Sequence, residues 1–126
     1  MRDLTKYEGI IPAFYACYDK DGKVSPEAVR ALTQYHIDKG VKGVYVCGSS
    51  GECIYQSKED RKITLENVMA VAKGKLTVIA HVACNNTEDS IELAKHAESC
   101  ALTRLLLFLQ STSVCQSILS QDTGIP

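Results

Sequence analysis

The residues best equipped for chemistry are Gly48-Ser49-Ser50-Gly51-Glu52, which directly follow the apolar run Gly43-Val44-Tyr45-Val46-Cys47. Two glycines let a backbone turn tightly and approach a ligand, and consecutive serines offer hydroxyls together with backbone N–H donors. That inventory suits a small carboxylate or phosphate, although a plain connecting loop has the same composition. No Gly-Lys-Ser/Thr follows, so the stretch is not a phosphate-binding P-loop, nor is it a Gly-x-Gly-x-x-Gly dinucleotide turn. His81, inside another apolar run, reads either as a base or as a hydrogen-bonded histidine of the core. His36 and His96 fall near the ends of expected helices, where a cationic tendency suits the helix dipole. The six cysteines, at 17, 47, 53, 84, 100 and 115, form no CxxC pair and read as reduced, mostly buried thiols. Zinc needs four close ligands, or three and a water, and no such grouping with histidine exists, so no metal is expected.

The elements that must position these residues follow from pattern. Ile10-Ile11-Pro12-Ala13-Phe14-Tyr15-Ala16-Cys17-Tyr18 reads as a strand buried on both faces, ended by a turn at Asp19-Lys20-Asp21-Gly22. Ser25-Pro26-Glu27 opens a helix with a capping serine, a proline where no N–H is missed and an acid at the positive end. Ala28, Val29, Leu32 and Tyr35 give that helix its apolar stripe, and Gly40 ends it. Residues 43–47 form a second strand. Ser57 with Asp60 makes a capping-box start to a helix carrying Ile63, Val68, Met69 and Ala72 as far as Gly74. Leu76–Val82 is a third strand. Asn86 or Thr87 caps a third helix, in which Ile91, Ala94 and Ala97 should face inward with Leu93 beside them. Strands alternating with helices at even spacing indicate a parallel α/β architecture, whose ligands gather at the carboxyl ends of strands.

Composition sets the outer limits. With 14 Lys+Arg against 15 Asp+Glu in 126 residues, neither a nucleic-acid surface nor a polybasic membrane surface is expected. No apolar run approaches the roughly 20 residues of a membrane span, and the charged N-terminus lacks the apolar core of a signal peptide. Of the 29 charged residues only Arg104 and Asp122 lie beyond position 100, where Leu, Ser, Thr and Gln take over. Leu105–Leu109 has the hydrophobicity of a fourth strand. From Gln110 to Pro126 there is no helical stripe or cap, and disorder is expected.

The run Tyr45–Ser57 resembles the corresponding loop of the N-acetylneuraminate lyase and dihydrodipicolinate synthase family of class I aldolases. Gly9–Phe14, Gly40–Val46 and Ile79–Cys84 extend the resemblance across about residues 7–100. The Gln56-Ser57 ending and Ile79-Ala80-His81-Val82 are similar to the sialic-acid lyase branch. The fold implied is α/β, namely the first three βα units of a (β/α)8 TIM barrel, truncated, since a complete barrel takes more than about 200 residues.

The activity implied is reversible aldol cleavage of N-acetylneuraminate to N-acetylmannosamine and pyruvate. It runs through a lysine Schiff base, with no cofactor beyond that imine. By motif position Ser49 and Ser50 would bind the pyruvyl carboxylate, and Ser50 is the serine assigned to a tyrosine proton relay. Gly48, Gly51 and Glu52 would organise the loop. Lys42, Lys73, Lys75 and Lys95 match no Schiff-base position, so the 126 residues by themselves are expected to be inactive. The small-molecule substrate, a homotetramer and a cytoplasmic location follow from the same resemblance. Alternatives are a dihydrodipicolinate synthase, a 2-keto-3-deoxy sugar acid aldolase, or a non-catalytic interaction fragment.

The resemblance stops after Cys100, which divides the chain into an aldolase part, 1–100, and a divergent part, 101–126. Codon arithmetic supplies a reason. If Phe108–Ser113 is encoded TTC CTC CAA TCT ACT TCC after a Leu107 codon ending in A, stepping back one base reads Ile-Pro-Pro-Ile-Tyr-Phe. That is similar to the Pro-Pro-x-Tyr of the family's fourth strand. The same step turns the stretch from Thr103-Arg104 onward into Asp-Ala-Ile-Ala, so a one-base deletion near codon 101 is expected.

Overall fold

The computed structural model describes residues 4–100 and the backbone of residues 104–106. Helices α1 (Pro26–Asp38), α2 (Lys58–Ala72) and α3 (Thr87–Ser99) alternate with strands β1 (Gly43–Val46), β2 (Thr77–His81) and β3 (Arg104–Leu106). The strands are parallel and lie in the order β1-β2-β3. Val44 pairs with Val78, and Ala80 with Leu105. Helices α2 and α3 therefore cross over between neighbouring parallel strands, as the alternation requires, while α1 leads into β1. The strand expected at Leu105–Leu109 begins within β3; residues 107–109 and the tail expected to be disordered lie outside the described residues.

Local chemistry starts each helix where expected. Ser25 Oγ accepts from the Ala28 amide at 3.2 Å. Ser57 and Asp60 close a reciprocal capping box, with Ser57 Oγ accepting from the Asp60 amide at 3.1 Å and Asp60 Oδ2 from the Ser57 amide at 3.3 Å. Asn86, rather than Thr87, caps α3, accepting from the Asp89 amide at 2.8 Å. Gly40 (φ 74°) and Gly74 (φ 77°) take the left-handed conformation that ends α1 and follows α2.

The core forms on one face of the sheet. Val44, Val46, Val78 and Ala80 alternate onto that face and bury themselves with Leu65, Val68, Ala72, Leu93 and Ala97 from the helices. On the other face Tyr45 and Ile79 are only half-buried. Gly43 is needed where β1 and β2 draw together: a Cβ there would lie 2.2 Å from the Thr77 carbonyl oxygen.

Three expectations are corrected. The run Ile10–Tyr18 is not a strand buried on both faces. It lies along β1 through Tyr45 N–H to Pro12 O (2.9 Å), Phe14 N–H to Tyr45 O (2.8 Å) and Lys42 N–H to Ile10 O (2.9 Å). Phe14 is 1% exposed, but Ile10 and Tyr15 are 74% and 68% exposed. One edge is paired, Pro12 has no N–H to give, and no described strand lies on the far side. In α1, Thr33 takes the buried place expected for Tyr35, because it stands four residues from Val29 and donates to the Val29 carbonyl at 2.8 Å. In α3 the inward stripe is Ser90, Leu93 and Ala97, while Ile91 is exposed. A strict three-residue repeat drifts around a 3.6-residue helix, and alternating steps of three and four do not.

Candidate active site

The loop after β1 begins with Cys47 in the left-handed region (φ 61°) and ends with Glu52 in the same region (φ 57°). Between them Ser49–Gly51 makes one 3-10 turn. It is closed by Gly51 N–H to Gly48 O (3.0 Å) and Glu52 N–H to Ser49 O (3.0 Å). Gly48 is required by close approach: an added Cβ would sit 2.3 Å from Cε1 of Tyr45. The ring of Tyr45 thus lies directly against the backbone at the loop's base. Gly51 is buried against the Phe14 carbonyl, 3.1 Å from where its Cβ would be.

Ser49 and Ser50 are both exposed, at the carboxyl end of β1. Among the described residues neither their hydroxyls nor their amide N–H groups have a hydrogen-bond partner. Two adjacent sets of O–H and N–H donors are therefore available to one anionic group. Glu52 points its carboxylate elsewhere. Its Oε2 accepts from the Tyr18 hydroxyl at 2.5 Å, and Gln56 Nε2 donates to the same hydroxyl at 3.2 Å. The hydrogen bond to Glu52, helped by burial, raises the Tyr18 pKa above its ordinary value. Tyr18 ends the segment that runs along β1, so this trio ties the loop to that segment.

Beneath the loop is a residue the motif reading missed. Arg61 of α2 is 4% exposed. Its guanidinium donates to the carbonyls of His81 (2.7 Å) and Ala83 (2.9 Å) and to Cys84 Sγ (3.2 Å), and it lies 3.2 Å from His81 Nδ1. Its own carbonyl accepts from Cys47 Sγ at 3.6 Å. The sequence did carry a signal: Arg61 falls on the same stripe as Thr64, Leu65, Val68 and Ala72, all buried, where a charge has no place without partners. His81 is 4% exposed and hydrogen-bonded, the second of its two readings.

The other singled-out groups have structural surroundings. Burial lowers the His36 pKa, against the helix dipole, and its ring lies 5.8 Å from that of Phe14. His96 Nε2 pairs with Glu66 at 2.8 Å. Burial pushes the Cys47 thiol up to about 12 and raises Cys84, so neither is a ready thiolate. The five described cysteines are free, and Cys115 lies outside the described residues. A hollow of about 320 Å³ adjoins the loop, lined by Cys53, Gln56, Ser57, Lys58, Arg61 and Asp89 among others; Ser49 and Ser50 lie outside it.

Parallel βα units with a donor-rich loop at a strand's carboxyl end match the start of a TIM-barrel aldolase. The chain belongs to the Dihydrodipicolinate synthetase family, which it matches over residues 6–107. It is 78% identical over 98 residues to an N-acetylneuraminate lyase of Mediterraneibacter gnavus, covering 78% of this chain and 31% of the relative. With an N-acetylneuraminate lyase of Citrobacter koseri it shares 43% over 89 residues, 71% of this chain and 30% of the relative. Among solved structures, wild-type Ruminococcus gnavus sialic acid aldolase superposes with a TM-score of 0.81 at 60% identity, covering 91% of this chain and 41% of that one. A dihydrodipicolinate synthase from Aquifex aeolicus gives 0.78 at 25% identity, covering 94% and 43%. The chain spans about a third of the length of these curated relatives. Among the described residues no helix is long and apolar enough to cross a membrane.

Proposed function

We propose that this chain carries the carboxylate-binding part of an aldolase that cleaves N-acetylneuraminate reversibly to N-acetylmannosamine and pyruvate. The observation that carries the reading is the pair Ser49 and Ser50. Their hydroxyls and amide N–H groups have no partners among the described residues, at the end of a parallel strand in a lyase-like chain. A carboxylate withdrawn from water is costly unless several donors converge on it, and two adjacent serines supply four. In this reading Ser49 and Ser50 hold the pyruvyl carboxylate, and Ser50 passes a proton to a tyrosine from a later strand. A later-strand lysine forms the imine that accepts electrons as the C–C bond breaks, so no metal or organic cofactor is called on. Gly48 and Gly51 shape the loop, and Glu52 braces it against Tyr18. The enzyme is then cytoplasmic and homotetrameric, as its family resemblance implies.

The same proposal divides the chain into an aldolase part, 1–100, and an out-of-frame part, 101–126. The near-absence of charge beyond residue 100 supports this, as does the one-base step that recovers Asp-Ala-Ile-Ala and Ile-Pro-Pro-Ile-Tyr-Phe. In each shifted codon the last two bases are largely set by the residue observed, which limits the freedom of that reading. Inserting one base after the Cys100 codon, in the gene with its downstream sequence, is the test. The restored protein should release pyruvate from N-acetylneuraminate and trap pyruvate on borohydride reduction, whereas the 126-residue chain should do neither. Ser50→Ala in the restored protein should lower kcat by about 100-fold, in the range for loss of one positioned catalytic group. Activity in the 126-residue chain, or an intact gene with no family-like alternative frame, would overturn the proposal.

A further inference from the structure

We infer that Arg61 is a positioning residue for the Ser49–Ser50 loop, acting through the His81–Tyr45 ring pair and through Cys47. The inference rests on the proposed function only in taking that loop as the substrate-binding one; the contacts themselves are independent of any substrate. The first route runs through rings. The Arg61 guanidinium lies 3.2 Å from His81 Nδ1. The His81 ring meets that of Tyr45 edge-on, with centroids 6.2 Å apart. Tyr45 in turn lies so close to Gly48 that a Cβ there would sit 2.3 Å from its Cε1 and force the ring to move. The second route is shorter: the Arg61 carbonyl accepts from the thiol of Cys47, the left-handed residue at which the chain leaves β1.

Two features make this more than ordinary packing. Among the described residues no carboxylate pairs with Arg61, so its charge is met by carbonyl oxygens at the end of β2, a sulfur and an imidazole. A planar guanidinium can serve these acceptors together with two of its nitrogens, and a lysine ammonium cannot. Moreover, an arginine only donates, so a hydrogen bond to Nδ1 requires that atom to be the unprotonated nitrogen. His81 is thereby held as the neutral tautomer with its proton on Nε2, and its ring orientation beside Tyr45 is set.

The test is two-bond proton–nitrogen correlation NMR on the full 126-residue chain, which identifies the protonated nitrogen of each histidine. In the unmodified chain at neutral pH, His81 should show Nδ1 as the acceptor nitrogen and Nε2 carrying the proton. Arg61→Lys should abolish that fixed tautomer and shift the backbone amide signals of Gly48, Ser49 and Ser50, while those of α1 stay in place. A proton on Nδ1 in the unmodified chain overturns the inference whether or not the variant folds. An Arg61→Lys chain with an unaltered His81 tautomer and unmoved loop amides overturns it as well. Neither result depends on turnover, so failure here is distinct from failure of the proposed lyase activity.

Discussion

The two segments that flank β1 make opposite use of it. On one side β2 pairs along its length, from Gly43–Thr77 to Val46–Ala80, and α2 closes over the pair with Leu65, Val68 and Ala72 buried. On the other side Ile10–Tyr18 makes a few backbone hydrogen bonds to β1 and leaves Ile10 and Tyr15 largely in water. Both segments are apolar enough to read as buried strands. Hydrophobicity alone does not bury a strand; it needs partners on both edges and a layer on each face. The candidate site sits at the junction. Its loop meets the α2 side through the Cys47 thiol on the Arg61 carbonyl, and the open side through Tyr18, Glu52 and Gln56 and the packing of Gly51 on the Phe14 carbonyl.

On that contrast, substitutions on the β2 and α2 side should be costly, and those at the exposed positions of the open segment, Phe14 apart, nearly silent. The largest effect is expected for Gly43→Ala, whose new methyl would collide with the Thr77 backbone oxygen of the paired strand. Since neither strand can yield without breaking the ladder, a loss of about 3 kcal/mol or more is expected in urea unfolding followed by circular dichroism. Leu65→Ala should cost about 3 kcal/mol through the cavity it leaves. Tyr15→Ala, 68% exposed on the open side, should change stability by no more than about 0.5 kcal/mol. A Tyr15→Ala chain as destabilised as Leu65→Ala would break the contrast and show that the N-terminal segment is more firmly seated than its pairing indicates.

Next in size are the caps. Ser57→Ala removes half of a reciprocal box at the α2 N-terminus and should cost about 1 kcal/mol. A similar loss is expected for Asn86→Ala at α3. These starts were legible in sequence because capping depends on residues three apart and on nothing distant. The parallel sense of the strands was legible for a related reason, since a helix between two strands returns the chain in the same direction. What was not legible depended on tertiary neighbours. Thr33 displaces Tyr35 from the buried face of α1 because Val29 offers it a carbonyl, and Ile91 turns outward because α3 packs through Ser90, Leu93 and Ala97. The Gly48–Glu52 loop could be picked out from its residue types. Its supports, Arg61 and Tyr18, come from an interior helix turn and from the far end of another segment, and no local motif links them.

The smallest effect sharpens the comparison on its costly side, where α2 meets α3. Glu92 accepts from Lys58 at 2.7 Å and from Lys62 at 2.5 Å, and Lys58 also reaches Asp89 at 2.7 Å. Both lysines favour the ionised carboxylate, so the Glu92 pKa falls from the usual 4.5 to about 2. A carboxyl group whose pKa is lower folded than unfolded stabilises the fold at every pH above its unfolded value, and that contribution fades as pH falls toward the folded one. The gain from Glu92 should therefore be complete above about pH 4.5 and gone near pH 2. These side chains reach solvent, so the gain is small and weakened by salt. Thermal unfolding of the unmodified chain and of Glu92→Gln should give midpoints that differ slightly at pH 7, converge as pH falls through this window, and lie closer together in 1 M salt. A difference that persists unchanged to pH 2 would mean that Glu92 joins α3 to α2 through packing and not through its charge.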